Sequence, residues 1–133
     1  MNVRGIIASR SDMSLAGELR KLLGTEAVSD DPAQLQAHGG DKWFANHLPD
    51  AVVFARTTKQ VSQLMQFASE KDIPVTARGS GYGYVGSCVP VRGGVSLSLA
   101  RMNRIKEISF DDAIPIVEPG VITADLQAKA REQ

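Results

Sequence analysis

The sequence predicts an α+β fold: a βαβ unit followed by antiparallel strands, with one helix ahead of them. Three observations predict it. Two short apolar, β-rich runs at residues 51–55 and 75–78 flank a segment with helical spacing. Further strand-like runs recur at residues 95–99, 105–110 and 114–118 with no helical pattern between them. Ahead of all these, Leu15, Leu19, Leu22 and Leu23 share one helical face.

Taken in order, residues 14–23 form the first helix, and Gly24 supplies its stop. Residues 25–49 are polar and hold the turn formers Asp30, Asp31, Pro32, Gly39, Gly40 and Asp41. They read as a surface loop with little regular structure. Ala51-Val52-Val53-Phe54-Ala55 reads as a buried strand. Thr57 then stands three residues before Gln60, the spacing of a capping box. Val61, Leu64, Met65 and Ala68 follow on one face of a helix that ends near Lys71. Pro74 precedes the second strand, so strand, helix and strand make a βαβ unit with a crossover helix. A glycine-rich loop occupies residues 79–94, and residues 95–99 alternate as a strand. Residues 105–110 and 114–118 read as two strands joined by an Asp111-Asp112 turn. Thr123 can cap a final helix that runs from Ala124 to Gln133 without a glycine stop.

Composition narrows the function classes. The chain is 43% hydrophobic, enough for a core and against disorder. The formal net charge is zero, which gives no electrostatic case for nucleic acid or an anionic membrane as partner. With one cysteine there is no intrachain disulfide framework, so an oxidising compartment is not required and the cytoplasm is expected. Residues 1–10 hold a short apolar run broken by Arg4, with no cleavage-site pattern, and do not read as a signal peptide. No apolar run approaches a membrane span.

The chemistry concentrates in residues 76–90, TARGSGYGYVGSCVP, with glycines at 79, 81, 83 and 86 directly after a predicted strand. Glycine permits positive φ and lets a ligand approach the backbone. Successive N–H groups in such a turn can converge on phosphate oxygens. Arg78 adds a positive charge at the loop entrance. Gly81, Gly83 and Gly86 match G-x-G-x-x-G, but that fingerprint should open a helix, and Ser87-Cys88-Val89-Pro90 is a poor helix start. A phosphate loop of the Walker type needs a lysine that the loop lacks. A glycine-rich connection with no ligand is the remaining reading.

From Leu48 onward the chain resembles the FAD-binding domain of the vanillyl-alcohol oxidase and p-cresol methylhydroxylase (PCMH-type) flavoproteins. Its nearest look is to the glycolate oxidase large subunit and D-lactate dehydrogenase branch. The matching pieces fall in the family's order: Pro49-Asp50-Ala51-Val52-Val53, the helix of residues 57–71, Ile73-Pro74-Val75 and Ala77-Arg78-Gly79-Ser80-Gly81. Val89-Pro90, Gly93-Gly94-Val95, Leu97-Ser98-Leu99, Met102-Asn103-Arg104-Ile105 and Val117-Glu118-Pro119-Gly120-Val121 follow. Each piece alone is weak, and together at these spacings they are specific.

The resemblance implies the first subdomain of a PCMH-type FAD-binding domain, with residues 1–47 as an N-terminal helix and polar segment and residues 48–133 as the domain's N-terminal part. It implies incompleteness at the C-terminus, and hence weak or no FAD binding by these residues alone. Cofactor contacts are implied for Arg78, Gly79, Ser80, Gly81, Tyr82, Gly83, Tyr84 and Gly86 around the diphosphate, and for Pro119, Gly120 and Val121 nearer the flavin. Some members carry a flavin-linked histidine where this chain has Tyr82, so the FAD here is expected to be non-covalent. The implied activity is FAD-linked oxidation of a 2-hydroxy acid such as glycolate or D-lactate. The implied partners are that substrate, the rest of the enzyme or other subunits, and a further copy of the chain. The implied location is cytoplasmic, with peripheral attachment to the inner membrane in the full enzyme. No catalytic residue is assigned here, because the family's base lies later in the chain. The alternative is a nucleotide-binding or regulatory module without redox activity.

Other residues take plainer readings. Cys88 reads as a small packing residue. His38 and His47, with Asp41, match no metal spacing and read as surface positions. Trp43 and Phe44 read as buried against the chain's own core. Arg101 and Arg104 read as solvated or salt-bridged, and Asp125 as favouring the dipole of the last helix.

Overall fold

The computed structural model describes residues 13–132. The reading of residues 1–10 and the end of the last helix at Gln133 lie outside the described residues. The elements are α1 (Leu15–Leu23), β1 (Val28–Ser29), α2 (Pro32–Ala37), β2 (Ala51–Phe54), α3 (Thr58–Glu70), β3 (Val75–Arg78), β4 (Val95–Ser98), β5 (Ile105–Ser109), β6 (Ile114–Val117) and α4 (Thr123–Arg131). The fold is α+β, as expected.

Local sequence explains most boundaries. Ser14 caps α1 by accepting from Gly17 N, and Gly24 ends the helix with φ +92°. At α3, Thr57 Oγ1 accepts from Gln60 N at 3.2 Å and Gln60 Oε1 accepts from Arg56 N at 2.9 Å, so both signals of the expected cap are used. The segment read as an irregular loop needs correction. It contains a short 3-10 turn (Thr25–Ala27), β1 and α2. Asp31 and Pro32 are a helix start rather than a loop: Asp31 Oδ1 accepts from Ala33 N and Gln34 N, and Pro32 takes the first helical position. At α4, Thr123 lies inside the helix, and Ile122 is the capping position with no side-chain bond.

The main sheet has the order β1-β2-β4-β3. β2 and β3 are parallel, as the βαβ reading requires, but β4 lies between them and is parallel to both. The strand of residues 95–98 is therefore not one of the antiparallel set. Both its faces are buried, which is what a central parallel strand demands. Ala51, Val53, Val95 and Leu97 form one face of the sheet and share a core with Leu19 and Leu23 of α1, Leu64 of α3, and Ala27 and Val28. Val52, Ser96 and Ser98 point to the other face, where Ser96 Oγ donates to His38 O at 3.4 Å after the end of α2. β5 and β6 pair antiparallel around the expected turn, where Ser109 Oγ donates to Asp112 Oδ2 at 2.7 Å. They form a separate two-stranded sheet with largely exposed side chains, outside the main core.

Candidate functional site

Parallel strands direct their carboxyl ends to one edge of a sheet, where α/β folds commonly place ligands. Here β3 ends at Arg78 and β4 at Ser98, side by side. Beyond them opens a cleft of about 210 Å³. Gly79 and Ser80 enter it from the end of β3, and Ala100 and Asn103 from the turn after β4. Pro119, Gly120, Val121 and Ile122 form the opposite wall, with Ile105 and Asp125 at its margins.

The two walls are held together by backbone bonds. Leu99 N donates to Arg78 O at 2.9 Å, Met102 N to Leu99 O at 2.9 Å, and Gly120 N to Met102 O at 2.8 Å. Gly120 is pressed so close to this turn that a Cβ there would lie 2.2 Å from Leu99 O and 2.8 Å from Met102 O. The adjoining Glu118 is only 5% exposed. Its carboxylate accepts from Arg104 N at 2.9 Å, Arg104 Nε at 3.0 Å and Arg104 Nη2 at 2.6 Å.

These hydrogen bonds from Arg104 lower the Glu118 pKa from 4.5 to about 2. A depressed carboxylate contributes its stabilisation fully above its unfolded value, and loses it as pH falls toward the folded value. The expected result is a loss of stability between about pH 4.5 and about pH 2 that Glu118→Gln flattens. Urea unfolding of parent and variant at about pH 3 and about pH 6 checks this. Parallel pH dependences for the two proteins would contradict it.

The glycine loop stands beside the cleft. Gly81 adopts φ +76° and Gly86 φ +73°. The amide N–H groups of residues 80–85 donate to no described residue, so among the described residues a run of donors stands open to a ligand. Arg78 is turned back toward its own loop. Its Nη1 donates to Gly40 O at 2.8 Å, and its Nη2 lies 1.9 Å from where a Gly81 Cβ would be. Gly83 O accepts from Lys42 N at 3.1 Å, and Gly86 N donates to Asp41 Oδ2 at 3.1 Å. Tyr82 and Tyr84 are exposed, with Lys42 Nζ 4.9 Å from the Tyr82 ring centre.

Of the residues singled out in the sequence, the structure gathers Gly79, Ser80, Pro119, Gly120 and Val121 around the cleft. Arg78, Gly81, Tyr82, Gly83, Tyr84 and Gly86 do not line it. Sequence reasoning missed Ala100, Asn103, Ile105, Ile122 and Asp125 as cleft residues. The Met102-Asn103-Arg104-Ile105 match was the signal that could have found two of them.

Three plainer readings change. Trp43 is 66% exposed and Phe44 80% exposed, so neither is buried in the core. Asp41 Oδ1 takes the Trp43 N–H at 2.9 Å and fixes a turn that faces both rings outward, where Trp43 packs edge-on against Phe44 and Tyr84. His38 is half-buried, its ring 5.1 Å from that of Phe54, and burial lowers its pKa. Arg101 is exposed but engaged, donating to Glu26 O at 2.9 Å and lying 4.6 Å from the Phe54 ring centre. Cys88 is buried, as its packing role requires.

Comparison with known proteins gives four findings. Residues 49–133 match the model of a family described as an FAD binding domain. The chain is 39% identical over 79 residues to glycolate oxidase subunit GlcD of Bacillus subtilis, covering 59% of this chain and 17% of that one. It is 34% identical over 106 residues to a D-lactate dehydrogenase of Anaerostipes hadrus, covering 80% and 22%. The crystal structure of p-cresol methylhydroxylase with substrate bound superposes with a TM-score of 0.74 at 32% identity, over 86% of this chain and 23% of that one. The chain thus spans about a fifth of the length of the curated relatives it matches.

Proposed function

The chain belongs to the FAD-binding domain family of PCMH-type flavoproteins, and from that premise we propose that it forms one side of the FAD cradle of an oxidoreductase acting on a 2-hydroxy acid such as glycolate or D-lactate. The observation that carries the reading is the meeting of Gly79-Ser80 with Pro119-Gly120-Val121 at the carboxyl ends of β3 and β4, beside a loop with free amides. These features fit an anionic dinucleotide. Gly79, Ser80 and Gly120 leave the backbone on both walls open to close approach, and the N–H groups of residues 80–85, which donate to no described residue, suit diphosphate oxygens. When bound, FAD supplies the two-electron acceptor for oxidation of an alcohol carbon.

The chain's own part is to bind and orient. The amides around Ser80 and Gly81 would hold the diphosphate. Tyr82, Gly83, Tyr84 and Gly86 complete the loop, and Arg78 fixes it from behind through Gly40 O. Pro119, Gly120 and Val121 would bound the flavin side. The cleft of about 210 Å³ is smaller than the roughly 300–1,000 Å³ typical of pockets that enclose a drug-sized ligand, so further walls come from elsewhere in the assembled enzyme. Residues 48–133 constitute the FAD-binding portion and residues 1–47 its leading segment. The attachment is read as non-covalent, because the glycine loop holds no histidine and its one cysteine, Cys88, is buried. Among the described residues no helix is long and apolar enough to cross a membrane. The full enzyme is read as cytoplasmic and self-associating, with peripheral attachment to the inner membrane.

The protein expressed from its full reading frame is expected to be yellow. Acid precipitation should release all the flavin to the supernatant, and an added 2-hydroxy acid should bleach the bound flavin. A colourless protein that takes up no FAD contradicts the cofactor assignment. Flavin retained on a peptide containing Tyr82 or Cys88 contradicts the non-covalent attachment. Bound flavin that no 2-hydroxy acid bleaches contradicts the substrate class.

A further inference from the structure

The free amides of the glycine loop are useful to a ligand only if the loop keeps one conformation. Its composition argues against that: glycine loses more backbone freedom on ordering than any other residue. Ordering the loop at the moment of binding would be subtracted from affinity. In the structure the loop is contacted by a segment about forty residues away in sequence.

Residues 40–42 run alongside the loop and hold it at three points. Gly40 O accepts from Arg78 Nη1 at 2.8 Å at the loop's entrance, and Lys42 N donates to Gly83 O at 3.1 Å at its middle. Asp41 Oδ2 accepts from Gly86 N at 3.1 Å at its far end. The other carboxylate oxygen, Oδ1, accepts from Trp43 N at 2.9 Å, so Asp41 joins its own turn to the loop. The turn is itself anchored. Gly40 bridges to Asn46, His47 N donates to Gly39 O at 2.9 Å, and the preceding His38 O accepts from Ser96 Oγ of the central strand.

We propose that Asp41 is a positioning residue for the cofactor site: its carboxylate pins the far end of the glycine loop and presets the amides that receive the diphosphate. The proposal rests on the assignment of this loop to the FAD diphosphate. Asp41 does not line the cleft and acts through Gly86 and Trp43. Both bonds are charge-assisted, which makes them stronger than ordinary backbone bonds. Neither can be supplied by alanine. Asparagine keeps one accepting oxygen and serves only one of the two amides.

The experiment uses the protein expressed from its full reading frame, as parent, Asp41→Ala and Asp41→Asn. Three quantities are read: hydrogen exchange of the Gly86 amide without cofactor, FAD dissociation, and the phosphorus-31 resonances of bound FAD. In Asp41→Ala the Gly86 amide should exchange at least about ten-fold faster. FAD affinity should fall roughly ten-fold, about the effect of one charge-assisted bond. The phosphorus resonances should move while the flavin absorption band stays in place. Asp41→Asn, isosteric and able to fold, should lie between parent and alanine on all three. Unchanged Gly86 exchange in both variants overturns the proposal. So does faster exchange with unaltered FAD affinity and phosphorus resonances. A parent that takes up no FAD refutes the cofactor assignment through its own titration, whereas the exchange of Gly86, measured without cofactor, still judges whether Asp41 pins the loop.

Discussion

Replacing Gly120 by alanine is expected to cost about 2–4 kcal/mol of stability and to abolish FAD uptake. The added methyl would meet Leu99 O at 2.2 Å and Met102 O at 2.8 Å. Both are backbone atoms of one tight turn and cannot rotate aside as a side chain could. Relief requires the Pro119-Gly120-Val121 wall to withdraw, which breaks the Gly120 N to Met102 O bond of 2.8 Å. The same withdrawal strains the neighbouring Glu118–Arg104 contacts and opens the cleft. Thermal unfolding should fall by roughly 10 °C, since about 1 kcal/mol corresponds to a few degrees in a domain of this size. A shift below about 2 °C would show that the walls are not locked as described.

Gly81→Val is expected to leave stability within about 1–3 kcal/mol of the parent, yet to weaken FAD binding about 100-fold or more. The two substitutions differ because the obstacles differ. At Gly81 the added carbon meets the end of the Arg78 side chain, which can move. Moving it, however, removes the guanidinium from Gly40 O and frees the loop entrance. The φ of +76° is also one that a β-branched residue avoids, so the loop must change shape. Gly79→Ala provides the comparison. Nothing lies within 4 Å of its added carbon, so the fold should be unaffected and any loss of affinity reports obstruction of the ligand itself. FAD titration of the three proteins, followed by flavin fluorescence, decides the matter. Tight FAD binding by Gly81→Val would falsify the placement of the diphosphate at this loop.

What could be read from the sequence was local. The face shared by Leu19 and Leu23, the Thr57–Gln60 cap and the strand before Gly79 are encoded within a few residues, and each appears where the pattern puts it. The position of β4 between β2 and β3 was invisible, because period-two alternation in Val95-Ser96-Leu97-Ser98 says nothing about which strands flank it. Asp31-Pro32 was misread because the same residues serve turns and helix starts, and only the accepted bonds from Ala33 and Gln34 distinguish them. The exposure of Trp43 and Phe44 follows from a turn that Asp41 fixes. The clamp on the glycine loop joins positions 45 residues apart, beyond the reach of any spacing rule. The cleft was half legible: Gly79, Ser80 and Pro119-Gly120-Val121 came from the family pattern. Asp125 was seen only as a helix charge, because nothing local shows that α4 begins at a cleft margin.

The strand order carries a consequence for how the chain comes into being. β2 and β3 are separated in the sheet by β4, which is made later than either. During synthesis from the N-terminus, α1, β1, β2, α3 and β3 emerge with a gap where the sheet's central ladder belongs. Two parallel strand edges therefore wait unpaired until Ser98 has left the ribosome. Waiting edges of this kind are sites for erroneous pairing, and parallel pairing between distant segments is slow because loop closure precedes any reward. The sheet's central ladder can therefore form only once Val95 to Ser98 has been made, after both of the strands it pairs with. A nascent chain halted before that point has β1 and β2 able to pair and β3 with no neighbour.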